Sequence, residues 1–230
     1  MSLNFKDLKD IKMTKFDKRF YIACLIASFV VIAFSPFELM VSEFFYTKGE
    51  GFYLRETPFV SFIKSDWPLY VYALMGLCGG LWIGGKINKN SVYALKDRAL
   101  IFIVLSLLVV PGIIVNGLFK GLWGRARPIQ ITEFGGSLDY TAPLVFAEQC
   151  TKNCSFPSGH AALAFWCVAL ALLLPKSVRK IGVVCAIIMG VVVSYSRVAG
   201  GFHFVSDTIF SFLMVVPWVL WLWRRMSLDK

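Results

Sequence analysis

Histidine and charged side chains are scarce in this chain of 230 residues. There are two histidines, His160 and His203, and Asp, Glu, Lys and Arg together make up 17% of the residues against 57% hydrophobic ones. The mean hydropathy is +0.68. So apolar a composition excludes a disordered chain and is rare in a soluble domain of this length.

Several sequence motifs are missing as well. The chain has no Gly-rich phosphate loop, no zinc-finger spacing and no basic–aromatic stripe, so its net charge of +10 does not indicate a nucleic-acid-binding protein. It has no internal repeat, which disfavours a duplicated transporter. The first apolar run lacks a small-residue cleavage site, and we expect it to be retained as a helix.

The chain instead contains six apolar runs. Residues 20–37, 67–85 and 99–119 carry no charged side chain and are long enough to cross a bilayer as helices, which takes roughly 20 residues. Three runs are shorter and need polar residues at one end to complete a span: 161–175, 181–196 and 208–223. Because backbone groups in lipid must be hydrogen-bonded internally, the sequence predicts an all-α, integral-membrane bundle of six transmembrane helices.

Lysine and arginine are unevenly distributed between the segments that flank these runs. The segments 1–19, 85–98, 175–180 and 224–230 hold 16 of the 24, and the alternate segments hold the other eight. The positive-inside rule therefore predicts that both termini are cytoplasmic, where the basic residues face anionic lipid. This divides the chain into a basic leader (1–19), a membrane domain (20–223) and a cytoplasmic tail (224–230). The leader is either an amphipathic helix on the inner leaflet or a solvated segment that only sets the topology.

The cysteines fall into two groups. Cys150 and Cys154 lie in the longest loop, 120–159, on the predicted outer side. In an oxidising compartment they either form a disulfide or remain two free thiols, and their spacing leaves both open. The other four lie in the apolar runs and are interpreted as small packing residues: Cys24, Cys78, Cys167 and Cys185.

Three polar clusters, distant in sequence, fall on the predicted outer face. In chain order they comprise Lys120, Arg127 and Pro128 after the third run; Pro157, Ser158, Gly159 and His160 before the fourth; and Ser196, Arg197, His203 and Asp207 between the fifth and sixth. Because they converge at one depth of one bundle, the sequence predicts a single site.

The residue types in these clusters suit the binding of a phosphoryl group. The cations Lys120, Arg127 and Arg197 stand at helix ends, and the forked guanidinium group of arginine matches the oxygens of a phosphate. Ser158 and Gly159, at the start of a helix, offer a hydroxyl and free backbone N–H groups to an anion. These five residues are therefore candidate phosphate-binding residues.

The two histidines are candidates for the chemistry itself. His203 and Asp207 are four residues apart and share a face if they lie on a helix. A carboxylate on one ring nitrogen fixes the tautomer and makes the other nitrogen a better nucleophile. His160 comes from a different helix and can protonate a leaving alkoxide.

Other interpretations of these residues stay open. A histidine in an apolar bundle is often a structural hydrogen-bonding residue, and His–Asp pairs at membrane depth also occur in the proton relays of transporters. A proton-coupled transporter is therefore the alternative from a different class of protein. Arg125 and Lys152 are interpreted as ordinary cations at the membrane surface.

The three clusters resemble the signature of the type 2 phosphatidic acid phosphatase superfamily of membrane lipid phosphatases. The family pattern K-x6-RP, PSGH and SR-x5-H-x3-D is complete between Lys120 and Asp207. The resemblance implies hydrolysis of a phosphomonoester or pyrophosphate without metal or cofactor, through a phosphohistidine on His203. Asp207 would orient that histidine, and His160 would act as acid and then as base. The phosphoryl oxygens would be held by Lys120, Arg127, Ser158, Gly159 and Arg197.

The segment 124–160 is also similar to the lipid A phosphatases of Gram-negative bacteria, including their 4′-phosphatase branch. This implies lipid A as the substrate and the bacterial inner membrane as the location, with the site facing the periplasm or exterior. The implied partners are a phosphorylated membrane lipid and the bilayer, without nucleic acid. Undecaprenyl pyrophosphate, phosphatidylglycerol phosphate and phosphotransfer to another lipid stay open, because the same residues would serve them.

The predicted orientation can be tested by labelling. With Gln130→Cys, in the predicted outer loop, we expect a thiol reagent that cannot cross the membrane to label intact cells above the level of the unsubstituted chain. The matched control, Ser177→Cys in the predicted cytoplasmic segment 175–180, should be labelled only after lysis. The reverse pattern would overturn the orientation.

Overall fold

The structure is a computed structural model that describes residues 15–33, 36–88, 96–226 and 228. Its helices are α1 (Lys15–Ala33), α2 (Phe37–Phe44), α3 (Pro58–Ser65), α4 (Trp67–Ile87), α5 (Asp97–Leu107), α6 (Lys120–Leu122), α7 (Gly159–Leu172), α8 (Lys176–Ala199) and α9 (Val205–Arg225). A π-helix, Leu108–Phe119, joins α5 to α6, and short 3-10 turns follow at Pro128–Gln130 and Thr132–Phe134. Between α2 and α3, β1 (Tyr46–Thr47) and β2 (Gly51–Phe52) pair as a small antiparallel hairpin.

Four of the predicted spans form helices that are long and apolar enough to cross a membrane: α4, the continuous segment Asp97–Leu122, α8 and α9. The fifth, α7, is a shorter apolar helix. The prediction of a mostly helical membrane protein is therefore confirmed, and the count of six spans and the orientation stay predictions. Most of the predicted leader, residues 1–14, lies outside the described residues, and its last residues begin α1.

Helices α8 and α9 extend beyond the predicted apolar runs. α8 begins at Lys176, five residues before the run, and α9 continues to Arg225, two residues after it. Charged residues at the helix ends thus complete the short runs. A long Lys or Arg side chain tolerates such a position because its charged end can reach the membrane surface.

Helix α7 forms the centre of the bundle and packs against α8 and α9. All but two of its 14 residues are buried, and one of the two exceptions is His160. Alanine occupies many of its positions, which lets neighbouring helices approach closely where lipid gives no hydrophobic driving force. The segment before α7 is buried as well, so the first turn of α7 lies inside the protein.

Contact between α7 and α8 depends on the absence of a side chain at Gly190. A Cβ atom there would lie 2.3 Å from two atoms of the Phe165 ring. That ring is buried and packs edge-on against Phe212 of α9, with ring centroids 5.1 Å apart. Phe165 therefore has little room to move away from α8.

The π-helix carries one side of the cavity described below. It contains Pro111, which has no backbone N–H to donate. The carbonyl oxygen of Pro111 accepts a hydrogen bond from Asn116 Nδ2 at 2.7 Å. Widened helical turns of this kind are frequent at functional sites. Here the widened turns place Asn116 and Lys120 against Gly159, at the start of α7.

We predict that Gly190→Ala destabilises the protein, because the new methyl group meets the confined Phe165 ring. Overpacking of this kind typically costs about 1–3 kcal/mol. The thermal unfolding midpoint in detergent should fall by several degrees. The matched control is Gly76→Ala in α4, where an added Cβ has no atom within 4 Å. There the midpoint should stay unchanged or rise, and equal midpoints for both variants would contradict the packing explanation.

Candidate active site

The three sequence clusters meet at one cavity of about 680 Å³. Six of the eight predicted site residues line it: Lys120, Arg127, Gly159, His160, Arg197 and His203. Ser158 and Asp207 are adjacent in sequence or space to these residues but do not line the cavity, and both are completely buried. The cavity continues between the side chains of α4 and α5, including Tyr72, Met75, Val104 and Leu107. It therefore has one strongly basic end and one apolar end.

Three cations at the basic end have no carboxylate partner in the described part of the chain. Arg197 is 2% exposed, and its Nε and Nη1 atoms have no hydrogen-bond partner among the described residues. Lys120 Nζ lies 3.3 Å from Asn153 Oδ1, and Arg127 Nη2 donates to the Asn153 backbone oxygen at 2.8 Å. Burial lowers the pKa of Arg127, although Asp207 opposes the shift. The unpaired donors leave this cluster free to bind an anion.

A disulfide joins Cys150 to Cys154 beside these cations. The loop that it closes contains Asn153, and the Cys154 backbone oxygen accepts a hydrogen bond from Lys120 Nζ at 3.2 Å. The backbone N–H of Cys154 donates in turn to the Lys120 oxygen at 3.1 Å. The closed loop thus holds two of the three cations.

The aromatic ring of Phe202 orients the third cation. The Arg197 guanidinium carbon lies 3.9 Å from the Phe202 ring centroid, and that of Arg55 lies 4.2 Å from it. Stacking of this kind attracts a cation without neutralising its charge. Arg55 also donates from Nη1 to the Gly200 backbone oxygen at 3.0 Å. Arg55 gave no signal in the sequence, because its loop carries no recognisable motif.

His203 lies in the turn between α8 and α9, since α9 begins only at Val205. The prediction that His203 and Asp207 share a helix face is therefore wrong in its geometry, although the two side chains do meet. Nδ1 of His203 lies 3.5 Å from Asp207 Oδ2, and His203 is 1% exposed. Burial lowers the pKa of His203 well below its ordinary value, although Asp207 opposes the shift. A lowered pKa favours the neutral imidazole, which is the form in which a histidine can act as a nucleophile.

The turn that carries His203 is possible because of Gly201. Its φ of +67° lies in the left-handed region, which favours glycine. A Cβ there would also lie 2.4 Å from an atom of the ring of Phe52, which belongs to the hairpin between α2 and α3. The backbone N–H groups of Phe202 and His203 both donate to the Arg197 oxygen, at 3.0 and 3.2 Å. Arg197 and His203 are thus fixed relative to each other through the backbone.

His160 faces the same cavity from the first turn of α7. Its Nε2 donates to the backbone oxygen of Lys64, in the last turn of α3, at 3.1 Å. Because a carbonyl oxygen only accepts, this contact leaves Nδ1 as the nitrogen available for proton exchange. The two histidines therefore line one cavity from separate elements.

Ser158 and Gly159 have different surroundings from those expected. Ser158 caps α7, with its Oγ accepting from the Ala161 N–H at 3.5 Å, and it does not line the cavity. Gly159 lines the cavity, and an added Cβ would lie 2.4 Å from Asn116 Oδ1 and 3.1 Å from Lys120 Cε. The close approach of the π-helix therefore requires glycine at this position.

The interpretation of Arg125 as a membrane-surface cation is wrong. Its side chain is fully buried, and its Nη1 lies 2.6 Å from Asp207 Oδ1 and 2.9 Å from Ser206 Oγ. Its Nη2 pairs with Glu38 Oε1, and its Nε donates to the Thr141 oxygen at 2.8 Å. Burial opposes the charge of Arg125, but Asp207 and Glu38 outweigh it and raise its pKa. Lys152, by contrast, is exposed as expected.

The spacing of Arg125 and Arg127 in the sequence is consistent with their pointing to opposite sides. Arg125 and Arg127 are separated by one residue, and the backbone is extended at Arg127. Alternate side chains of an extended segment point to opposite sides. With Arg127 lining the cavity, Arg125 must point away from it, towards the protein interior. Glu38, its partner from α2, has no comparable signal.

Asp207 is the most heavily bonded residue of the site. Its Oδ2 accepts from Ser155 Oγ at 2.5 Å and from the Phe204 N–H at 2.9 Å, which caps the start of α9. Its backbone oxygen accepts from the Ser158 N–H at 3.1 Å. Ser155, like Arg125, was not predicted.

Comparisons with known proteins agree with this geometry. The sequence model of the PAP2 superfamily matches residues 99–229, which include all three clusters. Lipid A 4′-phosphatase of Francisella tularensis subsp. novicida (strain U112) is 29% identical over 210 residues, covering 87% of this chain and 91% of that protein. Lipid A 4′-phosphatase of Rhizobium leguminosarum is 38% identical over 108 residues, covering 47% of this chain and 46% of that protein.

A solved structure has a similar fold. The crystal structure of the first transmembrane PAP2 type phosphatidylglycerolphosphate phosphatase, from Bacillus subtilis, matches 88% of this chain and 93% of that chain with a TM-score of 0.52. At 20% identity this likeness concerns the fold alone. The resemblance stated from the three motifs is nevertheless confirmed, because the family model covers more than half of the chain. The chain belongs to the PAP2 superfamily.

Proposed function

We propose that this membrane lipid phosphatase hydrolyses a phosphate ester of lipid A, the 4′-phosphate first among them, through a phosphohistidine intermediate. The substrate is supported by the lipid A 4′-phosphatase that is 29% identical over 87% of the chain. The observation that carries the chemistry is the cluster of three cations that have no carboxylate partner among the described residues and that line one cavity with the buried His203. A phosphate monoester brings up to two negative charges to Lys120, Arg127 and Arg197, and so supplies the counter-charge that the described protein groups do not.

The shape of the cavity supports a phosphorylated amphiphile. Its basic end suits the phosphate, and its apolar end between α4 and α5 suits a hydrocarbon portion. Phosphoryl transfer requires mainly positioning and neutralisation of the phosphoryl oxygens. Lys120, Arg127, Arg197 and the backbone N–H at Gly159 would hold these oxygens, and Ser158 would keep that N–H in place as the helix cap.

In the first step, Nε2 of His203 attacks phosphorus, and the bond from phosphorus to the ester oxygen breaks. The Nδ1–H of His203 faces Asp207 Oδ2, which stabilises the positive charge of the phosphorylated ring. His160 is protonated at Nδ1 while the negative charge of the bound phosphate offsets the neighbouring cations, and it donates that proton to the leaving oxygen, so that the lipid departs as an alcohol.

In the second step, neutral His160 takes a proton from a water molecule as the water oxygen attacks phosphorus. The nitrogen–phosphorus bond breaks, its electron pair returns to Nε2 of His203, and inorganic phosphate leaves. The contact from His160 Nε2 to the Lys64 oxygen holds the ring for both transfers. Each proton and electron pair is thus accounted for by the two histidines and water.

The proposed setting is a bacterial inner membrane crossed six times, with both termini in the cytoplasm and the site facing the periplasm. The distribution of lysine and arginine supports this arrangement. Membership of a phosphatase superfamily favours hydrolysis over the alternative of proton-coupled transport. An outward-facing site suits a lipid whose phosphate lies in the outer leaflet of that membrane.

The proposal is tested by phosphate release from bisphosphorylated lipid A in detergent micelles containing EDTA. We expect wild-type turnover to persist in EDTA, because the neutralising charges belong to side chains. His203→Gln and His160→Gln should each lose at least about a thousandfold, since each removes a group acting on the reacting atoms. Labelled substrate should leave acid-labile, alkali-stable phosphate on the wild-type protein and none on His203→Gln.

Matched controls make this test decisive. Lys152→Gln removes an exposed cation from the same loop region and should retain wild-type turnover. Undecaprenyl pyrophosphate and phosphatidylglycerol phosphate should be hydrolysed more slowly than lipid A under the same conditions. A faster rate on either would replace the proposed substrate, and full activity of His203→Gln would overturn the mechanism.

The disulfide beside the cations generates a separate prediction. With Cys150→Ser and Cys154→Ser together, Lys120 and Arg127 lose a rigid loop that holds them before substrate binds. Ordering each such side chain on binding costs about 0.5–1.5 kcal/mol, so for the two together we expect KM to rise at least about fivefold with kcat nearly unchanged. The reductant dithiothreitol should have the same effect on the wild type and none on the double variant. Cys185→Ser, at an exposed free thiol, is the control, and an unchanged KM in the double variant would contradict the prediction.

A further inference from the structure

Arg125 lies behind the histidine pair, on the side of Asp207 that faces away from the cavity. Its Nη1 contacts Asp207 Oδ1 at 2.6 Å, whereas His203 faces the other carboxylate oxygen, Oδ2. Arg125 is fully buried and does not line the cavity. It therefore cannot contact a phosphate bound between the cations, and any effect that it has on the reaction must pass through Asp207.

Glu38 holds the other end of the same guanidinium group. It is 3% exposed, comes from α2 and pairs with Nη2 of Arg125. Its Oε1 also accepts from Tyr140 Oη at 2.6 Å, and its Oε2 accepts from Ser206 Oγ. Arg125 thus pairs with a carboxylate at each of its two terminal nitrogens, and its Nε donates to the Thr141 backbone oxygen. Its forked donor geometry allows these simultaneous contacts, which a lysine could not make.

The two carboxylates of this group depend on one cation, which offsets them only in part: burial raises the pKa of Glu38, although Arg125 opposes the shift. Two buried carboxylates, Glu38 and Asp207, share one guanidinium ion, and Ser206 bridges Glu38 to Arg125. Without Arg125 the two carboxylates would repel each other in a region of low dielectric, and one would take up a proton or turn away. Asp207 would then no longer present a fixed, charged Oδ2 to His203.

We propose that Arg125 and Glu38 are positioning residues that set the orientation and charge of Asp207, and through it the nucleophilicity of His203. This inference rests on the proposed function, in which His203 attacks phosphorus. It assigns a role to Glu38 of α2, which lies 169 positions before Asp207 and outside the segment covered by the family model.

The inference predicts a specific kinetic signature. A residue that binds phosphate affects KM. A residue that orients Asp207, and through it His203, affects the rate of phosphoenzyme formation. Misplacement of a reacting group by about 1 Å costs roughly a hundredfold in rate. We therefore expect Arg125→Met to lower kcat by at least about a hundredfold with KM within about twofold of the wild type.

Milder variants complete the set. Arg125→Lys keeps the charge but loses the fork, and should lower kcat about tenfold or more. Glu38→Gln keeps the shape and removes the second carboxylate, and should lower kcat about three- to tenfold. In Arg125→Met with Glu38→Gln, one uncompensated carboxylate has been removed, so kcat should be higher than in Arg125→Met alone. Lys152→Gln serves as the matched cation control and should behave as the wild type.

The experiment measures kcat, KM, the pre-steady-state phosphoenzyme burst on lipid A and the thermal unfolding midpoint for each purified variant. A slower burst at an unchanged KM in folded protein is the expected result. Wild-type kcat in Arg125→Lys and Glu38→Gln, or a loss confined to KM, would overturn the inference. If Arg125→Met shows no unfolding transition, these two milder variants decide the matter by the same criteria.

The His203→Gln variant separates the two levels of the proposal. If it is inactive while the Arg125 and Glu38 variants keep wild-type kcat, the positioning role fails and the proposed mechanism stands. If His203→Gln is itself active, the proposed mechanism fails, whatever the other variants do.

Discussion

The carboxylate of Asp207 is completely buried, and a charge removed from solvent must be compensated inside the protein or cost several kcal/mol. Its compensation comes from three places in the chain: Arg125 in the loop after α6, Ser155 in the segment before α7, and the Phe204 N–H at the start of α9. Its backbone oxygen also receives the Ser158 N–H. The hydrogen bonds and the ion pair of Asp207 therefore bring all three motif segments together. His160 and His203 lie in these segments and so come to one site.

The site separates two kinds of cation within a short distance. Arg125 is fully paired, and its removal from solvent is offset by two carboxylates and a backbone oxygen. Lys120, Arg127 and Arg197 have no such carboxylate in the described residues, and Arg197 is nearly as buried. Uncompensated charge of this kind lowers stability in the free protein, and proteins retain such conflicts mainly at functional sites. The paired cation maintains the structure, and the unpaired ones remain free to bind an anion.

The parts of this arrangement that sequence reasoning recovered are those determined locally. An uncharged run predicts a membrane helix whatever surrounds it, and the spacing of Lys120, Arg127 and His160 is visible along the chain. Arg125 was misinterpreted because its partners Asp207 and Glu38 lie 82 and 87 positions away. The alternation with Arg127 indicates only that the two side chains point to opposite sides, and it does not identify the buried carboxylates that pair with Arg125.

The His–Asp pair shows a different kind of limit. A separation of four residues suggests a shared helix face, yet α8 ends at Ala199 and α9 begins at Val205. Gly201 reverses the chain between them with a positive φ, so His203 precedes the helix that contains Asp207. Asp207 meets His203 while also capping α9 through the Phe204 N–H. The spacing was informative because a capped turn brings the same two positions together as a helix does.

Gly159 illustrates why the residues of the family signature do not all support phosphoryl chemistry equally strongly. The proposed function assigns phosphate binding to its backbone N–H at the start of α7, which is the role that the motif implies. Yet the π-helix approaches so closely that a Cβ would lie 2.4 Å from Asn116 Oδ1, and this packing alone would keep glycine there. Structural packing provides no comparable reason for a buried His203 beside three cations that have no carboxylate partner among the described residues. The case for phosphoryl chemistry therefore depends on that histidine and its surroundings more than on the glycine beside it.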